Sequence, residues 1–165
     1  MNTSPLSEDL RSLYQEVILD HAKHPRNARF VEHHTCKAQG NNPMCGDKVT
    51  VTANVSDAGV LEDVGFDGKG CAISIASASM MTEALKGQNV ADAKKLFDAV
   101  HDLCTGKREA DAVKAALPAE AAASVDKLAS LSGVRQFPVR VKCATLPWHA
   151  LMSCLDGKGQ TSTEK

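Results

Sequence analysis

The sequence predicts an α+β fold in which a small three-stranded antiparallel meander packs against a bundle of about five to six helices. Three observations carry this. Leu10, Leu13, Tyr14, Val17, Ile18 and His21 recur at helical spacing. Val49, Val51, Ala53 and Val55 alternate with Thr50, Thr52 and Asn54 as in a half-buried strand. Beyond residue 90, Ala-rich stretches are punctuated by Gly106 and Pro118. At 165 residues the chain can bury one core, so 1–155 reads as a single domain. Residues 156–165, polar and glycine-containing, read as a disordered tail.

Taken in order, Ser7-Glu8-Asp9-Leu10 gives a cap followed by first-turn acids, and a helix over 7–23 stops at His24-Pro25. A short strand over 31–39 precedes the alternating strand, and Ser56-Asp57-Ala58-Gly59 turns the chain. Leu61, Val64 and Phe66 return, closing in the glycine-rich run 65–70. Cys71–Lys86 lacks Gly and Pro and reads as a helix ended by Gly87. Further helices follow over 90–104, 108–116 and 119–131. A last one begins after Pro138 and runs to about Leu155, with Pro147 expected to kink or split it.

Charge excludes some functions. With 19 Lys plus Arg against 20 Asp plus Glu, no basic field exists for nucleic-acid binding. No stretch resembles a membrane span or a secretory leader, so a soluble cytoplasmic protein with no membrane partner is expected. Thiols in that compartment stay reduced, which turns the six cysteines towards metal or sulfur chemistry rather than disulfides.

Asn42-Pro43-Met44-Cys45-Gly46-Asp47 puts a thiol and a carboxylate two residues apart on a tight loop. Alone it is a weak signal, because a turn aspartate usually caps its own backbone. Cys71 follows a glycine-rich turn at a helix start, where free N–H groups and the helix dipole favour an anion. Cys143, flanked by Arg140 and Lys142, again lies near a helix start, where the cations are expected to favour its thiolate. Either cysteine alone could be a small buried hydrophobe. Together, Cys45, Asp47, Cys71 and Cys143 match the four donors of a tetrahedral zinc site, and thiolate softness disfavours magnesium and calcium.

Three thiolates and a carboxylate around a divalent ion leave a formal charge of about −2, which Arg140, Lys142, Lys48 and Lys69 are placed to offset. The aspartate points to a reactive site rather than a staple, since its oxygen exchanges more readily than a fourth soft donor. Cys36, Cys104 and Cys154 read as packing or incidental thiols, and His149 as an alternative ligand. His21 belongs to an apolar helix face, and His33 and His34 to an edge strand. A hydrolytic zinc enzyme is disfavoured, because four protein ligands leave no open water position.

At these motifs the chain resembles the IscU/NifU-like family of iron–sulfur assembly proteins. The residues that carry the likeness are Leu13-Tyr14 to Asp20-His21, His24-Pro25-Arg26-Asn27, Asn42 to Asp47, and Gly70-Cys71-Ala72-Ile73-Ser74. The helical stretch around 106–137, and Lys142 where scaffold-type members carry His before the last cysteine, resemble the SufU branch. The resemblance implies a zinc-dependent sulfurtransferase working with a SufS-type cysteine desulfurase and a downstream cluster assembly scaffold. It makes Cys45, Asp47, Cys71 and Cys143 the ligands and Cys45 the catalytic thiol that accepts persulfide sulfur. It also implies that a desulfurase histidine replaces Cys45 on zinc during docking. Arg140 and Lys142, cations flanking the metal, are expected beside that docking surface on charge grounds. The alternatives are a scaffold that assembles a [2Fe–2S] cluster, or otherwise iron, on the same cysteines, and a docking module with a purely structural metal.

Overall fold

The computed structural model describes residues 8–157 and 159–162. Helix α1 spans Glu8–Lys23; Ser7, expected to cap it, lies outside the described residues. Strands β1 (Cys36–Asn42), β2 (Asp47–Val55) and β3 (Leu61–Lys69) form the expected antiparallel meander with β2 in the middle. Val49, Val51 and Ala53 of β2 are fully buried, as their alternation requires. Thr52, on the opposite face, is buried too, because its hydroxyl accepts the Val31 N–H at 3.0 Å and the chain before β1 passes over it.

That contact also explains why β1 begins at Cys36 rather than near residue 31. The Val31 N–H is taken by a side chain, and the His34 ring nitrogen bonds the Val31 carbonyl at 2.9 Å, so 31–35 form turns. His33 and His34 thus precede the edge strand on which they were expected.

Helix α2 (Ala72–Leu85) is capped by Cys71 in extended conformation, and α3 (Val90–Thr105) by Asn89, whose side chain accepts the Asp92 N–H. After α4 (Ala110–Ala115), the helix expected over 119–131 breaks into α5 (Ala119–Ala122), α6 (Val125–Leu128) and a 3₁₀ turn over Ala129–Gln136. Side chains compete with the α-helical pattern here. Ser130 Oγ donates to the Lys127 carbonyl at 2.7 Å, and Arg135 donates to the carbonyls of Ser132 and Leu103. No periodicity in apolar residues could have shown this.

Helix α7 runs unbroken over Pro138–Leu155, so Pro147 does not split it. Pro147 removes the donor that would reach the Cys143 carbonyl. Neighbouring hydroxyls hold the turn: Ser77 Oγ donates to the Ala144 carbonyl at 2.5 Å and Thr145 Oγ1 to that of Val141 at 2.9 Å. Past α7, strand β4 (Gln160–Ser162) pairs parallel with β1 at the sheet edge, inside the segment read as a tail. Main-chain pairing needs no apolar side chains, so composition carried no trace of it.

The core lies between the sheet and the α2–α7 pair, with Val49, Val51, Leu61, Val64 and Phe66 meeting Met80, Leu85, Leu146, Trp148 and Leu151. Burying each large apolar side chain contributes about 1.5–3 kcal/mol before entropy is counted. Helix α7 approaches β1 so closely that a Cβ on Gly40 would stand 3.0 Å from Leu146 Cδ1 and 3.3 Å from Ala150 Cβ.

Two cysteines depart from expectation. Cys36 at the start of β1 and Cys154 near the end of α7, read as packing or incidental thiols, form a disulfide with Cα atoms 5.3 Å apart. Their separation of 118 residues leaves no signal in the chain; the fold alone brings the two ends together. Cys104 is the packing thiol it was expected to be, its pKa pushed up to about 12 by burial.

Candidate metal centre

The β1–β2 hairpin pairs Asn42 with Asp47, and the Cys45 N–H donates to the Asn42 carbonyl at 3.2 Å to close the turn. This lifts Cys45 onto an exposed tip while Asp47, the first residue of β2, is buried. Cys71 reaches the same place from the start of α2. Its N–H donates to Asp47 Oδ1 at 2.8 Å, and its Sγ lies 3.8 Å from Asp47 Oδ2. One carboxylate oxygen is therefore committed to the helix start, which aims the other into the site. Cys143 enters from α7, buried, with its Sγ 3.3 Å from that of Cys45. One donor atom each from Cys45, Asp47 and Cys143 all fall within 4.8 Å of one another.

The surroundings hold this geometry. Asn42, fully buried, donates from Nδ2 to Cys143 Sγ at 3.4 Å. Gly70 leaves room for the carboxylate: a Cβ there would collide with Ser74 Oγ and stand 2.8 Å from Asp47 Oδ1. Trp148 Nε1 donates to Ser77 Oγ at 3.1 Å, and Ser77 in turn donates to the Ala144 carbonyl, so α2 and α7 are tied together next to Cys143. Nothing in the sequence marked Ser77 as functional. Asn42 and Gly70 stood inside the quoted motifs, but hydropathy could not show that their roles are a hydrogen bond to sulfur and a missing Cβ.

Burial, followed by hydrogen bonding to Cys45, Asp47 and Cys71, pushes the Cys143 thiol well above the ordinary cysteine range. This reverses the expectation that Arg140 and Lys142 would favour the thiolate. Arg140 instead lies with its guanidinium 4.6 Å over the Phe137 ring, and burial outweighs the nearby cations. A divalent ion supplies the positive charge that burial withholds, which couples binding to thiol deprotonation. The donor set suits zinc: with Zn–S bonds of about 2.3 Å, a tetrahedron has edges of about 3.8 Å, the scale on which these sulfurs and the carboxylate meet. Lys48 and Lys69, expected to offset the charge of the site, pair across β2 and β3 next in sequence to Asp47 and Gly70. His149 packs its ring 5.1 Å from Phe97 instead of entering the site, and burial pushes its pKa down.

The fold and site define a small α+β protein with a candidate metal centre in which Cys45, Asp47 and Cys143 lie together, from a hairpin and a helix, with Cys71 at a second helix start hydrogen-bonded to Asp47. The chain belongs to the NifU-like N-terminal domain family, whose model matches residues 13–144. It is 40% identical over 143 residues to the zinc-dependent sulfurtransferase SufU of Bacillus subtilis, covering 87% of this chain and 89% of that one. It is 36% identical over 152 residues to the iron–sulfur cluster assembly scaffold protein IscU of Streptococcus pyogenes, covering 88% and 84%. Among solved structures it resembles an iron–sulfur cluster assembly scaffold protein for the SUF system from Fervidobacterium islandicum. That likeness has a TM-score of 0.72 and 29% identity, over 88% of this chain and 98% of that one. No helix among the described residues is long and apolar enough to cross a membrane.

Proposed function

We propose that this chain is a zinc-binding sulfur acceptor, a zinc-dependent sulfurtransferase that takes persulfide sulfur from a SufS-type cysteine desulfurase in the cytoplasm and passes it towards iron–sulfur cluster assembly on a downstream scaffold. The supporting observation is the asymmetry of the donor set: Cys45 is exposed on a hairpin tip, while Asp47 and Cys143 are buried behind it. Cys45 is the donor that can leave the metal and meet a partner; Asp47, Cys71 and Cys143 are the donors that stay.

Zinc, when bound, keeps the thiolates deprotonated and adds no redox chemistry. The Cys45 thiolate attacks the outer sulfur of the desulfurase persulfide. A Cys45–sulfur bond forms, the donor's S–S bond breaks, and the donor cysteine leaves as thiolate, with the terminal sulfur keeping its proton. Asp47 is held by the Cys71 N–H throughout, and Asn42 hydrogen-bonds Cys143, so the remaining donors keep their geometry while the hairpin tip moves. Arg140, with exposed Phe137 and Val139 at the start of α7 and exposed Met44 beside Cys45, offers a cationic and apolar lip for the incoming persulfide, whose donor cysteine departs as a thiolate, and for its carrier.

The test pairs metal analysis of the purified protein with ³⁵S transfer from cysteine by a desulfurase, for wild type, Cys45→Ala, Asp47→Ala and Arg140→Ala. Zinc at about one per chain, with label lost in Cys45→Ala and reduced in Arg140→Ala, is the expected result. Bound iron with a visible chromophore would favour a [2Fe–2S] scaffold instead, and zinc without label transfer would leave a structural site.

A further inference from the structure

Helix α7 and strand β1 lie against each other along their length and are joined at both ends. At one end, Asn42 of β1 hydrogen-bonds Cys143 of α7 beside the candidate metal centre. At the other, the Cys36–Cys154 disulfide closes the pair. Between them, Gly40 lets Leu146 and Ala150 sit directly on the strand. Six residues of extended strand separate Cys36 from Asn42, about 20 Å. The bridge therefore lies too far away to exchange sulfur with Cys45 or Cys143 directly. It acts on the site only through the position of α7.

We propose that Cys36 and Cys154 form a redox-operated clamp that keeps α7 seated on β1, and so keeps Cys143 in place, when no metal holds the site together. This rests on the reading of Cys143 as a metal ligand, although the clamp itself works without metal. Closing it needs an oxidant, and a low-molecular-weight disulfide such as glutathione disulfide serves. The Cys36 thiolate, half-buried, attacks one sulfur of that disulfide and releases one thiol. Cys154, buried behind it, then attacks the Cys36 sulfur of the mixed disulfide and releases the second. Two cysteine thiols are oxidised, one small disulfide is reduced to two thiols, and the order follows from which cysteine a small molecule can reach. Excess small thiol runs the sequence backwards. The closed form constrains a loop of more than a hundred residues, which limits how far α7 can open from the sheet.

The buried Cys143 thiol reports on that opening. In a full-length Cys45→Ser/Cys71→Ser background, which leaves Cys143 without a neighbouring thiol, metal-free protein is equilibrated with glutathione disulfide or with reductant. Alkylation of Cys143 is then followed by mass spectrometry, with peptide mapping of the Cys36–Cys154 link. The clamp predicts that the link forms with glutathione disulfide and that Cys143 is alkylated about tenfold or more slowly when it is closed. Cys36→Ser should abolish the difference. Absence of the link after oxidation, or equal alkylation rates with the link present, would overturn the proposal. A second measurement does not depend on that background. In the otherwise native chain the metal-free Tm should be higher oxidised than reduced, and that gain should vanish in both Cys36→Ser and Cys154→Ser; a gain that survives in these variants counts against the clamp. Neither reading uses zinc or sulfur transfer, so a chain that binds no zinc yet protects Cys143 would sink the proposed function and leave the clamp standing.

Discussion

The Asn42 amide donates to Cys143 Sγ from 3.4 Å inside a fully buried pocket, where a sulfur that gains charge on metal binding has few other donors to face. Groups that orient a metal ligand in this way are typically worth about 10–100-fold in metal affinity. Asn42→Ala should weaken zinc binding within that range, measured by competition with a chromophoric chelator, and unchanged affinity would remove Asn42 from the site. His21 poses a different question. Its ring is buried, with Nδ1 2.7 Å from Ser79 Oγ, a hydroxyl that also accepts the Arg26 N–H. Burial, then the Arg26 cation, holds its pKa below the usual histidine value. The unfolded chain therefore takes up this proton first. The stabilisation is complete above the unfolded value of about 6.5 and is lost as pH falls from there through the lower folded value. Urea midpoints measured from pH 7.5 to 5 should fall more steeply for wild type than for His21→Asn, and parallel profiles would contradict this. The position of His21 on an apolar helix face was readable from its spacing, whereas its partner, 58 residues away, was not.

Helices α2 and α7 each deliver a cysteine, and one shared hydroxyl sets their spacing: Ser77 accepts from Trp148 Nε1 and donates to the Ala144 carbonyl. Ser77→Ala leaves a buried indole N–H without this acceptor, at a cost of about 1–3 kcal/mol. Equilibrium denaturation should show that loss together with weaker zinc binding; a loss of stability with zinc affinity intact would make the contact structural only. The central strand β2, α1 and α3 were legible in the sequence because their apolar residues keep a period of two or 3.6 against one continuous core, and α2 because Cys71–Lys86 holds neither Gly nor Pro. The late start of β1, the breakup of 119–136 and the addition of β4 were not. Each is decided by hydrogen bonds to other parts of the chain, from Val31 to Thr52, from Arg135 to Leu103 and from β4 to β1. The persistence of α7 through Pro147 belongs with them, since the Ser77 hydroxyl that supports that turn comes from α2.

The proposed donors come from segments around residues 45, 71 and 143, which only the assembled fold brings together, so a metal bound by them and the native packing would stabilise each other. The residues proposed as ligands stood out in the sequence as a set because each lay at or near a turn or helix start. Which of them is exposed was not legible, and that difference separates a reactive centre from a staple. An ion that binds only the folded chain adds about 2.7 kcal/mol when free zinc is a hundred times its Kd, roughly 5–10 °C in Tm for a chain of this size. Chelation of the wild-type protein should lower Tm by about that amount. Cys143→Ala, which removes a buried donor, should lower Tm and nearly erase the chelator effect. Cys45→Ala removes an exposed donor on a hairpin tip and leaves Asp47, Cys71 and Cys143 in place. It should therefore remain folded and keep part of the chelator-dependent shift while losing all sulfur acceptance. If Cys45→Ala instead unfolds as readily as Cys143→Ala, the hairpin tip is holding the domain together rather than waiting to leave it. The centre would then have to be read as structural.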